Sequence, residues 1–159
     1  NTDLEMVGSF EAEFIGEKAN VVSIHRVPET HSDIAKFMRR SCAILHPTVM
    51  YKKGAVIRSG NYHSVPLYED YDLFARMVLE YNVRSYNIQE NLYYIRTSED
   101  FFKRRGGLKY AKTVLNFKWK QHKKGYMSLA DFCISGLGQA FVCVLPNSLR
   151  KVIYLKLLR

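Results

Sequence analysis

The chain is 159 residues long, 47% hydrophobic and 13% aromatic, which excludes a disordered segment and allows one domain with a buried core. Its formal charge of +9 is unevenly spread: residues 101–159 hold thirteen Lys and Arg against Asp131 alone, which leaves residues 1–100 net acidic. Such asymmetry points to an anionic partner for the C-terminal part: membrane, nucleic acid or phosphate.

In chain order, MVGSFEAEFI (6–15) alternates as a strand, with Val7, Ser9, Glu11 and Glu13 on one face and Phe10, Ala12 and Phe14 on the other. VVSIHRV (21–27) reads as a second strand. In PETHSDIAKFMRRS (28–41), Thr30 or Ser32 can cap a helix that has Asp33 in its first turn and Arg39 and Arg40 in its last. AILHPTVMYKKGAVI (43–57) opens as an apolar strand and runs toward a short helix ended by Ser59-Gly60. Leu67, Tyr71, Phe74, Val78 and Tyr81 recur at helical spacing and predict a helix from about Asp70 to Tyr81. VRSYNIQENLYYIR (83–96) reads as two short strands.

After RRGG (104–107) the pattern stays helical. Leu108, Ala111, Leu115 and Trp119 mark one face, and Lys109, Lys112, Lys118, Lys120, Lys123 and Lys124 crowd the other. A second helix is expected over about Ser128–Val144. A third follows Pro146-Asn147, with Leu149, Val152, Ile153 and Leu157 in a stripe. The weakly polar run 130–146 is diluted by Ser, Gly and Gln and falls short of the roughly 20 apolar residues of a membrane span. Cys42, Cys133 and Cys143 have no metal-ligand spacing and read as free, buried thiols in a reducing cytosol. The order is mixed α/β, then a basic helical tail.

The densest chemistry lies in VPLYEDYDLFARM (65–77), where Glu69, Asp70 and Asp72 enter a helix. Acids there stabilise a helix N-terminus by roughly 0.3–1 kcal/mol, which is one sufficient reason for them. The other is general-base catalysis, because a carboxylate at a loop–helix junction can face a cleft and accept a hydroxyl proton. The two roles are compatible.

A set of segments, in order, resembles the C-terminal half of a family 2 glycosyltransferase, the bacterial polysaccharide-building kind with a GT-A fold. They are DLEMVGSF, HPTVMYKKGAVIRSGNY, LYEDYDLFARM, NIQENLYYIR, KRRGG and LPNSLRKVIYLKLLR, and together they cover nearly the whole chain. The resemblance implies the acceptor-side half of a GT-A-like mixed sheet over 1–100, followed by basic amphipathic helices over 101–159. It implies a hexosyltransferase-type reaction with inversion. Asp70 would be the base that takes the acceptor hydroxyl's proton as its oxygen attacks the sugar's anomeric carbon, Glu69 would shape the acceptor site, and a nucleoside diphosphate would leave from the opposite face. The partners implied are a nucleotide-sugar donor and a glycan or lipid-linked acceptor, at the cytoplasmic face of a bacterial plasma membrane.

The family's nucleotide-binding half, with its Asp-x-Asp metal motif, is expected upstream of Asn1, so the chain reads as a fragment that is inactive alone. The Mg or Mn ion expected in the full-length enzyme would have its ligands outside this chain. His46, in HPTVM, reads from the residues alone as a buried core histidine; the resemblance adds that it can border the donor diphosphate. Arg96, Lys103, Arg104 and Arg105 are either a solvated charge run or a phosphate clamp beside Gly106-Gly107, and the family places a basic segment here over the donor diphosphate. Lys109–Lys124 and Arg150–Arg159 combine Lys and Arg with apolar stripes, which suits either packing onto the catalytic half or an anionic membrane surface. Phe101, Phe102 and Trp119 could stack bases, but no nucleic-acid motif surrounds them, so no nucleic-acid partner is expected. The rival reading is a non-catalytic basic module that docks on a membrane or protein.

Overall fold

The computed structural model describes residues 3–98 and 105–157, and its mixed α/β architecture matches the class expected. Strands β1 (Met6–Phe14), β2 (Val21–His25), β3 (Met50–Tyr51) and β4 (Ser85–Arg96) form a four-stranded sheet. The path runs β2-β1-β3, β4 also pairs with β1, and β1 and β3 are antiparallel with Met6 opposite Tyr51. Residues of both faces of β1 are buried. Glu11 and Glu13, expected on a polar face, are buried along with Ala12 and Phe14. The expected pair of strands in 83–96 is one twelve-residue strand, β4.

Two compact units are resolved, Asn1–Glu11 with His25–Tyr93, and Ala12–Ile24 with Tyr94–Arg159. In the first, α1 (His31–Met38) starts where the Thr30 hydroxyl accepts the Asp33 amide, as the capping pattern predicts. The apolar run at 43–45 is buried but is not a strand; it leads into a 3₁₀ turn, His46–Thr48, with Pro47 near its start. Then come β3, α2 (Lys53–Arg58) and α3 (Glu69–Ala75), which continues as a π-wound turn, Arg76–Glu80. Ile34, Met38, Leu73, Phe74 and Met77 fill the core between α1 and α3. The Tyr71 hydroxyl donates to Met38 O at 2.8 Å and ties the two helices end to side.

Asn87 is a second fastener in this unit. It is fully buried, and its Nδ2 donates to Pro28 O at 2.7 Å and Ala43 O at 2.9 Å, holding two irregular segments to β4. Gly8 lies directly beneath Asn87 Oδ1, so a Cβ at position 8 would collide with it. We expect Gly8→Ala to displace Asn87 and destabilise the fold by about 1–3 kcal/mol, the scale of overpacking or of a buried amide losing partners, measured by urea denaturation. Gly54→Ala, where a Cβ meets nothing within 4 Å, is the control and should shift the midpoint far less.

In the second unit, α4 (Leu108–Lys123) packs along a continuous helical rod, α5, made of Leu129–Asp131, the π-wound Phe132–Leu137 and Gly138–Val144. Ser128 and Asp131 close a reciprocal capping box at its start. The last helix is α6 (Asn147–Leu157). Arg150 is buried, and its Nη2 donates to Leu145 O at 2.7 Å and Cys143 O at 3.2 Å, satisfying carbonyls at the end of α5. Gly106 sits against that guanidinium with no room for a Cβ.

The buried arc of α4 differs from the one expected. It runs through Ala111, Val114, Phe117, Lys118 and Gln121, whereas Leu108 and Trp119 are exposed. Lys118, expected on the basic face, is therefore inside, with its Cβ packed near Gly136 of α5. Periodicity marks Leu108, Ala111, Leu115 and Trp119 as apolar, but the line along which α5 lies decides which arc of α4 is covered.

Candidate active site

The site is built on the loop 59–68 and the start of α3, all within the first unit. Pro66 and then Leu67, which has a left-handed φ of 68°, keep the chain out of a helix until Tyr68, the N-cap, whose side chain makes no capping bond. The three acids follow at once in the first turn, where the helix dipole favours them. Their surroundings separate their roles.

Asp72 is 3% exposed, and its Oδ2 accepts the Nε–H of Arg76 at 3.0 Å. His63 Nδ1 lies 3.2 Å from the same oxygen. Arg76 is itself buried; it donates through Nη1 to Ser59 O and through Nη2 to Asn61 O at 2.6 Å. Those carbonyls belong to a tight turn in which Gly60 and Asn61 both have positive φ, at 82° and 60°, and Gly60 lies against the Arg76 guanidinium. Asp72 and Arg76 therefore form a clamp that fixes the loop 59–63 to α3.

Asp70 is half-buried, and among the described residues its carboxylate is engaged through Oδ1, which accepts the Tyr71 amide at 2.7 Å. This satisfies a first-turn donor and leaves Oδ2 for another partner. Tyr62, on the clamped loop, shares a 3.2 Å hydrogen bond with Tyr51 of β3. Burial, then that bond, then the negative field of Asp70 push the Tyr62 hydroxyl above its ordinary pKa, which places Tyr62 within the electrostatic reach of the carboxylate. Glu69 is exposed and lines an open depression of about 350 Å³ with Ser64, Val65, Pro66 and Leu67.

His46, which residue reading favours as a buried core histidine, is exposed at the start of the 3₁₀ turn. Pro47 follows it near the start of that turn, and the His46 ring lies 6.2 Å from that of buried Phe74 of α3, centroid to centroid. It thus shares the α3 neighbourhood with Asp70 and Glu69. Arg96 and Arg105 belong to the second unit. Arg96 is exposed, with its guanidinium 5.4 Å from the Phe14 ring centroid, and Arg105 is half-buried, its charge opposing the burial that raises the Tyr110 hydroxyl. Arg104 and Lys103 lie outside the described residues.

Sequence reading missed Tyr51, Tyr62, His63 and Arg76. Only Arg76 carried a legible signal, its i+4 spacing from Asp72 on a predicted helix. Among the described residues no three His, Cys, Asp or Glu side chains are grouped to hold a metal ion. The acids of α3 do not fit one: Asp72 is committed to Arg76 and His63, and Asp70 Oδ1 accepts the Tyr71 amide.

The chain is 35% identical over 159 residues to a UDP-Gal:alpha-D-GlcNAc-diphosphoundecaprenol beta-1,3-galactosyltransferase of Escherichia coli, matching all of the chain and 57% of that protein. Over its whole length the chain is thus similar to a glycosyltransferase. An uncharacterized glycosyltransferase of Haemophilus influenzae is 32% identical over 152 residues, 93% of the chain and 54% of the relative. An O-antigen biosynthesis glycosyltransferase of Escherichia coli is 34% identical over 91 residues, 57% of the chain and 35% of the relative. The chain thus spans about half the length of the first two curated relatives it matches. No protein-family model and no solved structure matches it. Among the described residues of the chain, no helix is long and apolar enough to cross a membrane.

Proposed function

We propose that this chain is the acceptor-side part of an inverting glycosyltransferase of family 2 and the GT-A type. It would move a hexose from a nucleotide-sugar donor to a glycan or lipid-linked acceptor in bacterial surface-polysaccharide synthesis. Residues 1–100 contribute to the catalytic domain, and residues 101–159 are its basic amphipathic helices. The observation that carries this reading is the division of labour in the first turn of α3: Asp72 is sealed into an ion pair while Asp70 is half-exposed with Oδ2 open.

In this mechanism Asp70 Oδ2 accepts the proton of the acceptor hydroxyl as its oxygen attacks the anomeric carbon. The bond from that carbon to the nucleoside diphosphate breaks on the opposite face, and the diphosphate departs with the bonding electrons. Tyr62 and Glu69 border the acceptor, and the clamp of Arg76 on the loop 59–63 keeps Tyr62 in position. His46 is assigned to the donor side of α3, and Arg96, Arg104 and Arg105 to the donor diphosphate. The ligands of a Mg or Mn ion are assigned, on the resemblance, to residues outside this chain. The name of the Escherichia coli relative supports a lipid diphosphate acceptor, and its β-linkage suits inversion of an α-configured donor.

The test is transfer by the full-length protein from α-configured uridine diphosphate hexoses to a diphospholipid-linked N-acetylhexosamine, with the product's anomeric configuration read by NMR. A β-linked product is expected. An α-linked product would remove the inverting mechanism, and the absence of transfer from any nucleotide sugar would favour a non-catalytic module.

A further inference from the structure

Two phenols from different elements meet near the α3 acids, and the proposed mechanism uses only one of them. Tyr51 stands in β3 opposite fully buried Met6 of β1, and the next amide, Lys52 N–H, donates to Glu5 O at 2.8 Å, so its backbone is held by the sheet. Tyr62 is held separately, between two anchored neighbours. Asn61 O accepts from Arg76 Nη2 at 2.6 Å, and Asn61 Oδ1 accepts the Tyr62 amide at 3.0 Å. On the other side His63 Nδ1 lies 3.2 Å from Asp72 Oδ2. With both backbones fixed, the 3.2 Å bond between the two hydroxyls governs where the Tyr62 hydroxyl points.

A phenol has one O–H to give and lone pairs to receive. One O–H is consumed in the shared bond, so the pair keeps one donor and spare acceptor capacity. Tyr62 is 40% exposed, which leaves it within reach of a ligand. Burial, the bond from Tyr51 and the field of Asp70 all raise the Tyr62 hydroxyl, so it stays a neutral phenol wherever the carboxylates are ionised. Phosphate is best held by a charged fork of donors. A neutral pair that both gives and receives suits a sugar hydroxyl, which does the same.

We propose that Tyr51 is a positioning residue for the acceptor: through its hydrogen bond it aims the Tyr62 hydroxyl at a hydroxyl of the acceptor sugar other than the one that reacts. This rests on the reading of α3 as the acceptor side, but not on Asp70 being the base. The test titrates the full-length protein calorimetrically with diphospholipid-linked N-acetylhexosamine and its monodeoxy analogues, alongside transfer kinetics. Tyr51→Phe should weaken acceptor binding and raise the acceptor KM about fivefold, the scale of one hydrogen bond, with kcat and the nucleotide-sugar KM within about twofold of wild type. Tyr62→Phe should lose about tenfold, and Tyr51→Phe/Tyr62→Phe no more than that, because Tyr51 acts through Tyr62. One monodeoxy acceptor should bind wild type more weakly than its parent, yet bind Tyr62→Phe equally well. Unchanged acceptor binding in Tyr51→Phe overturns the proposal, and so do additive losses in the double variant. A fall in the melting temperature of Tyr51→Phe with equal losses of donor and acceptor binding also overturns it, since the pair would then be structural. Near-normal turnover in Asp70→Asn beside weakened acceptor binding in Tyr51→Phe would remove the base and leave the pair. A wild type that binds no diphospholipid-linked sugar overturns both readings.

Discussion

Replacing Asp70 with Asn should lower the turnover of the full-length enzyme by at least about a hundredfold, the usual scale for losing a general base. The substitution keeps the shape of the side chain and the oxygen that accepts the Tyr71 amide, so the start of α3 is undisturbed. What disappears is the capacity to hold the acceptor's proton. Donor affinity should barely change, because Asp70 is assigned to the acceptor; calorimetric titration of donor into wild type and variant checks that half of the expectation. Glu69→Gln, at the exposed rim of the depression, should raise the acceptor KM more than it lowers kcat. Near-normal turnover in Asp70→Asn would return the α3 acids to a purely structural role. The measurement separates catalysis from helix stabilisation because Asn keeps the oxygen that accepts the Tyr71 amide and gives up only the roughly 0.3–1 kcal/mol of charge–dipole attraction.

The largest stability effect should come from Asp72 and Arg76. Both are buried, at 3% and 4% exposure, and removing either leaves the other as an uncompensated charge in the interior, which costs about 3–5 kcal/mol. At roughly 2–4 °C per kcal/mol for a protein of this size or somewhat larger, Arg76→Met should lower the melting temperature by about 6–20 °C. Asp72→Asn should be milder, since its amide oxygen can still accept from Nε of Arg76. The double variant Asp72→Leu/Arg76→Met should be less destabilised than the two single losses combined, because no orphan charge remains. It should not recover activity. Arg76 also holds Ser59 O and Asn61 O, and without it the turn carrying Tyr62 loses its anchor. A double variant that regains stability but keeps a low kcat would separate the clamp's electrostatic cost from its positioning role. Equal stability of Arg76→Met and wild type would contradict the clamp.

Local chemistry is what the sequence alone determined. Thr30 caps α1, the Ser128 region opens α5, and Pro146-Asn147 precedes α6, because capping oxygens and proline act on the nearest turn whatever surrounds them. The acids at 69–72 likewise announce the start of α3, and the ordered motifs carry the resemblance that the relatives bear out. Tertiary structure decided what each apolar or charged face meets. Glu11 and Glu13 alternate like residues of a polar face, yet both lie inside. Lys118 went inside and Leu108 and Trp119 stayed outside because the docking line between two helices is fixed by their joint packing rather than by either one's period. Asp70 and Asp72 are two residues apart and chemically identical. Only the return of the loop 59–63, with the carbonyls that Arg76 needs, commits one of them to a buried ion pair while the other stays half-exposed.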